Sequence, residues 1–121
     1  MRAAVINVGD EVLAGDTVNT NASWLCTRLS ENGVSVERIV VAPDDIEAIA
    51  EEVGRLSKAY DSVVVTGGLG PTPDDVTAEG VARALDLSVE VTDETREAAD
   101  GYSGEVSEED AAVPEGAFLI P

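Results

Sequence analysis

Apolar residues recur along this chain in two rhythms. Residues 3–8 (AAVINV) and 62–66 (SVVVT) are short apolar runs without alternation, as expected of strands covered on both faces. Residues 34–42 (VSVERIVVA) supply a further strand. Between them the spacing turns helical. Over 19–32, Ala22, Leu25, Cys26 and Leu29 fall on one face, and Gly33 suits the residue just past the helix end. Over 45–59 the face is Ile46, Ile49, Ala50, Val53 and Leu56; over 75–86 it is Ala78, Val81, Ala82 and Leu85. Residues 88–92 read as a fourth strand, 93–100 as a helix, 101–110 as poorly patterned, and 117–120 (AFLI) as a last strand. No internal repeat stands out.

Strand–helix alternation with apolar strands predicts an α/β fold: a three-layer α/β/α sandwich around a mostly parallel sheet, in one domain over 1–121. Ligands of such sheets bind beyond the carboxyl ends of the strands. Parallel strands place three loops on that edge: Gly9–Asp16, Ala42–Asp45 and Gly67–Asp75. All three carry carboxylates, two carry glycines, and none carries an aromatic ring.

Charge narrows the chemistry. The 121 residues hold 7 Lys plus Arg against 25 Asp plus Glu, with no His, for a formal net charge of -18. Nucleic acid and anionic membrane surfaces are excluded as partners, because both need clustered cations. With no His and 1 Cys, neither His catalysis nor a Cys/His zinc site can be built, so a metal would need oxygen ligands, as Mg²⁺ does. A single Cys cannot form an internal disulfide, which fits a reducing cytoplasm. The N-terminus reads as a strand rather than a signal peptide, and no run is long enough to cross a membrane. Yet 44% of the residues are hydrophobic, so this is no disordered acidic tail. Acid-rich, Lys-poor surfaces suit multimolar salt, which screens self-repulsion, and the source reads as halophilic.

The stretch from Thr66 to Thr77 (TGGLGPTPDDVT) carries the most chemistry. Glycines after a buried strand let backbone amides approach an anion, and the next helix offers its unpaired N–H groups. It is neither a Walker A loop, lacking Lys-Ser/Thr, nor the dinucleotide fingerprint, since Pro73 stands where the third Gly belongs. Asp74 and Asp75 suit a cation held jointly with ligand phosphates. They suit equally a helix N-cap and a first-turn acid. Asp44 stands three residues before Glu47, a capping-box spacing, and Asp45 fits a first-turn acid. Asp10 and Glu11 have no periodic helix to cap. One of Asn19 and Asn21 suits an N-cap, leaving the other to read a ligand's edge. Cys26 lies on the apolar face and reads as core. Trp24 lies off that face, at the core margin or in a subunit interface, the margin being simpler. Glu105 to Asp110 reads as a solvated loop.

Two of these motifs together resemble a known family. TGGLGPTPDDVT is similar to the signature of the molybdopterin-binding domain family, and Gly9 to Asn21 (GDEVLAGDTVNTN) resembles the first motif of its competence/damage-inducible protein A (CinA) N-terminal branch. Val113 to Ala117 (VPEGA) resembles a later family segment. The resemblance implies an α/β fold with the ligand, a phosphorylated pterin (molybdopterin) or a nucleotide, at the strand carboxyl edge. It implies that Gly67, Gly68, Gly70 and Thr72 cradle phosphate; Glu11 and Asn21 are the further candidate ligand contacts. Asp44 and Asp75 match acidic residues that assist Mg²⁺-dependent adenylyl transfer between ATP and molybdopterin in the adenylyltransferase branch, and Asp74 joins Asp75 as a metal ligand. For the CinA branch it implies metal-dependent ADP-ribose pyrophosphatase activity instead. A non-catalytic ligand-binding or regulatory module is the rival expectation, and related domains form homo-dimers or trimers. The sequence departs from the family in two places. No Gly-rich segment follows Pro121, so the chain is either truncated or has lost that loop. Residues 101–112 are also shorter and more acidic than the pattern. Nothing here matches the CinA deamidase domain, so nicotinamide-nucleotide deamidation is not expected.

Overall fold

The computed structural model describes residues 1–15, 20–70, 72–103 and 111–120, with the side chains of residues 20, 21 and 100–103 outside that description. The expected strands form as β1 (Arg2–Val8), β2 (Ser35–Ala42) and β3 (Ser62–Thr66). They make one parallel sheet in the order β2-β1-β3, with Val5 opposite both Ile39 and Val64. Helix α2 (Thr20–Glu31) links β1 to β2, and α3 (Ile46–Ala59) links β2 to β3. The chain steps one way to reach β2 and the opposite way to reach β3. Right-handed crossovers therefore put α2 and α3 on opposite faces, giving the expected three layers.

Alternation along β1 feeds both faces. Ala4, Ile6 and Val8 join Ile49, Val53 and Leu56 of α3 in a core that is almost wholly dry. Ala3 and Val5 point to the other face and are as fully buried. This is why the run AAVINV shows no period of two: both sides of the central strand are interior. Helix α4 (Thr77–Ala84) packs on α3, and Gly80 permits the approach. A Cβ there would stand 2.6 Å from Ile49 Cγ2. Arg83 of α4 also pairs with Glu47 of α3.

Several sequence expectations need correction. The first loop is not wholly irregular, because Asp10–Leu13 turns once as a short helix, α1. The fourth strand shrinks to β4 (Val89–Glu90), which pairs antiparallel with β5 (Val113–Pro114), apart from the main sheet. Residues 117–120 do not form a strand. A turn closed by Ala117 N donating to Pro114 O carries them away, leaving Phe118 and Ile120 85% and 89% exposed. An apolar tetrapeptide becomes a strand only where an open edge meets it. Helix α5 (Asp93–Ser103) agrees with the pattern. Trp24 is 60% exposed rather than at the core margin, and lies over the Arg28 guanidinium, 5.5 Å from it. Cys26 is half-buried on the inner face of α2. Asn19, the side chain of Asn21 and the run Glu105 to Asp110 lie outside the described residues.

Candidate functional site

All three loops do leave the carboxyl edge of the sheet, as parallel pairing requires. Hydrogen bonds at this edge, some between loops and some local, give the acidic residues different duties.

The first loop continues the ladder of β1 and β2 past its last strand pair, with Gly9 N donating to Ala42 O at 2.9 Å. One residue on, Asp10 N donates to Asp44 Oδ2 at 3.2 Å and Asp44 N donates to Asp10 Oδ1 at 2.9 Å. The capping-box expectation for Asp44 is therefore wrong. Asp45 caps α3, accepting from Ala48 N at 2.8 Å from an extended backbone (φ -141°, ψ 126°). The residue immediately before the first helical turn has that conformation, and Asp44 is one position too early. Its supposed partner Glu47 pairs with Arg83 instead. Glu11, exposed in α1, folds back over Gly9, where a Cβ would lie 2.7 Å from Glu11 Oε1.

The glycine loop is pressed onto the end of β1. Gly67 (φ 86°) and Gly68 (φ 69°) both take left-handed backbone. A Cβ on Gly67 would lie 2.2 Å from the Val8 carbonyl oxygen, and one on Gly68 would lie 2.1 Å from Thr77 Oγ1. These glycines are thus demanded by packing, whatever else they do. Thr77, buried at the start of α4, fastens the loop: its Oγ1 donates to Gly67 O at 2.8 Å and its N–H to Gly68 O at 3.1 Å.

Neither Asp74 nor Asp75 caps α4. Val76 occupies the cap position and makes no side-chain bond. Asp75 turns back to Thr72 instead. Its Oδ2 accepts from Thr72 N at 3.0 Å and from Thr72 Oγ1 at 2.7 Å, while Asp75 N donates to Thr72 O at 3.0 Å. The Thr72 hydroxyl holds the Asp75 carboxyl below its ordinary value; partial burial opposes this, and the Thr72 and Gly70 amides add to it. Gly70 leaves room for that carboxylate, since a Cβ there would reach to 3.0 Å from Oδ2. Thr72, expected to read phosphate, thus commits both its donors to Asp75. Asp74 is exposed in the turn before it. Among the described residues, no three acidic side chains converge as a metal cage.

Sequence reading overlooked two residues. Asn7 is 3% exposed near the end of β1, and Thr66 Oγ1 donates to its Oδ1. A polar residue inside AAVINV was the available signal, because a buried amide must be bonded. Thr77 was the other; as the first residue of a helix after two glycines, it was placed to staple them.

Comparison with known proteins fits this geometry. Residues 4–117 match the family model described as "Probable molybdopterin binding domain". A CinA-like protein of Citrifermentans bemidjiense is 48% identical over 128 residues, a match covering 100% of this chain and 31% of that protein. The crystal structure of CinA from Thermoplasma acidophilum superposes with a TM-score of 0.88 at 34% identity, covering 95% of this chain and 71% of that one. A molybdopterin biosynthesis protein from Mycobacterium abscessus gives a TM-score of 0.62 at 34% identity over 65% of this chain and 50% of that one. The curated CinA-like relative is thus about three times as long as this chain. Parallel sheet, glycine loop and sequence match agree, and the chain belongs to the molybdopterin-binding domain family, in company with its CinA-like members.

Proposed function

We propose that this domain holds a phosphorylated pterin or nucleotide at the carboxyl edge of β1, β2 and β3, and that its reaction is Mg²⁺-dependent cleavage of a diphosphate such as that of ADP-ribose. The observation that carries the reading is the convergence of all three loops around the end of one strand, with Asp10 and Asp44 hydrogen-bonded to each other and Gly67 packed close against Val8. Kinship with a molybdopterin biosynthesis protein supports a pterin, and the likeness of GDEVLAGDTVNTN to the first motif of the CinA branch implies a nucleotide.

The donor set suits a hard cation that keeps several waters. Thr72 holds the Asp75 carboxyl below its ordinary value, Asp74 is exposed beside it, and no third carboxylate joins them among the described residues. Mg²⁺ is bound in this way, by one or two carboxylates together with substrate phosphates. None of the 7 Lys and Arg residues stands in the three loops, so a chain of net charge -18 needs such an ion to accept a diphosphate. When bound, the metal would neutralise phosphate oxygens and polarise the phosphorus. The chain's own part is orientation. In this reading the Gly67 and Gly68 amides would meet the anion, the Thr72 and Gly70 amides hold the Asp75 carboxylate, and Glu11 and Asn21 would be further ligand contacts. Asp44 takes a proton from the attacking water as the water oxygen bonds to one phosphorus; the bridging P–O bond breaks, the bridging oxygen leaves with the other phosphate, and Asp44 returns the proton to solvent.

The mutual bonding of Thr72 and Asp75 favours a second reading, a binding module without turnover, since the loop satisfies itself. Turnover of ADP-ribose with and without Mg²⁺ in high salt separates them. Wild type is expected to hydrolyse it, and Asp75→Asn to lose most of the rate. Equal rates would remove Asp75 from the site. If neither ADP-ribose nor ATP turns over, the catalytic reading falls to the binding module; adenylyl transfer from ATP alone would select the adenylyltransferase chemistry. A homo-dimer or trimer in the cytoplasm completes the proposal, read by sedimentation and fractionation.

A further inference from the structure

We infer that Asp10 is a positioning residue: it holds Asp44 at the ligand edge through a reciprocal clasp. The inference rests on the role given to Asp44 above. Beside a helix start, a carboxylate ordinarily folds onto the helix's unpaired N–H groups. Asp45 has taken that place on α3, with Oδ2 on Ala48 N at 2.8 Å. Asp44 is therefore available, and the bonds it makes run to a residue 34 positions earlier, Asp10 N onto its Oδ2 and its own N–H onto Asp10 Oδ1.

Two bonds between the same pair fix both separation and twist. They also extend the β1–β2 ladder, since Val8 pairs with Ala42 and Gly9 N bonds Ala42 O immediately before the clasp. Each carboxylate is met by the other residue's amide, so two like charges share the strand edge with backbone dipoles between them. The first and second loops thereby move as one unit, and the unpaired first-turn amide of α1 is satisfied in the same contact. The chemistry asked of Asp10 is only to accept a bond at Oδ1. Asn supplies that acceptor and Ala does not.

The test uses the full chain with Asp10→Ala, Asp10→Asn, Asp44→Ala and the double variant Asp10→Ala/Asp44→Ala. In Asp10→Ala the Asp44 amide should exchange its hydrogen at least about tenfold faster, and Asp10→Asn should restore its protection. With ADP-ribose and Mg²⁺, Asp10→Ala should lower kcat about 10- to 100-fold with KM nearly unchanged, and Asp10→Asn should recover most of it. On the Asp44→Ala background the Asp10 substitution should add no further loss, because a residue acting only through Asp44 has nothing left to position. Unchanged exchange at Asp44 in Asp10→Ala overturns the inference. So does a loss of equal size on the Asp44→Ala background, or an Asp10→Asn variant as impaired as Asp10→Ala. If the wild type leaves ADP-ribose intact, the catalytic reading falls by itself, and the exchange measurement alone decides whether Asp10 holds Asp44.

Discussion

Substituting Gly67 by alanine tests the contact that brings the glycine loop onto the central strand. Two penalties add. At φ 86° an L-residue sits in the left-handed region, at about 1–2 kcal/mol. The new Cβ would also lie 2.2 Å from the Val8 carbonyl oxygen. That is about 1 Å closer than carbon and oxygen approach even in weak C–H···O contacts, roughly 3.3 Å. The obstacle is backbone of the buried central strand rather than a flexible side chain, so relief means moving the loop or the end of β1, at about 1–3 kcal/mol. The expected loss is about 2–5 kcal/mol, a large part of the ~5–15 kcal/mol that stabilises a typical domain. Gly33 provides the control. Its φ is 80°, and nothing lies within 4 Å of its Cβ position. Gly33→Ala should therefore cost about 1–2 kcal/mol, the conformational part alone. The entropy alanine removes from the unfolded chain is common to both and cancels in the comparison. Urea unfolding at fixed high salt gives the two free energies. If Gly67→Ala costs no more than Gly33→Ala, the close approach to Val8 is refuted, and with it the packing reason for glycine at the head of the loop.

Other substitutions separate roles that the sequence leaves merged. Asp45→Ala should lower stability by about 1 kcal/mol and speed hydrogen exchange at Ala48, whereas Asp44→Ala should leave Ala48 protected; the reverse pattern would return the cap to Asp44. Asp75 has a folded pKa below its unfolded value, so the stability it contributes is present above the ordinary carboxylate pKa of about 3.9 and is lost as pH falls through the lower folded value. Unfolding measured in acid should show Asp75→Asn losing that part of the pH dependence, and an unaltered profile would mean that the Thr72 bonds do not form. Gly80→Ala should destabilise the protein by about 1–3 kcal/mol, because the methyl would meet Ile49, although alanine favours an isolated helix by about 1 kcal/mol. A raised melting temperature would contradict the α3–α4 packing.

The sequence alone determined the sheet and the edge. Unbroken apolar runs in β1 and β3, with helical periodicity between them, mean parallel strands, and parallel strands oblige all three acidic loops to emerge together. The two glycines after β3 were also legible, since few other residues accept that backbone. The duty of each carboxylate, by contrast, follows from how the chain folds in space. Asp44 and Asp45 are chemically identical neighbours, and so are Asp74 and Asp75. A one-residue difference in where a helix begins chooses the cap, and bonds spanning 34 residues choose the clasp. Propensity cannot resolve either, because both are set by where the chain lands in space. The failed strand at 117–120 has the same origin: its apolar pattern is real, but a strand needs an edge to join, and the turn after Pro114 sends it elsewhere.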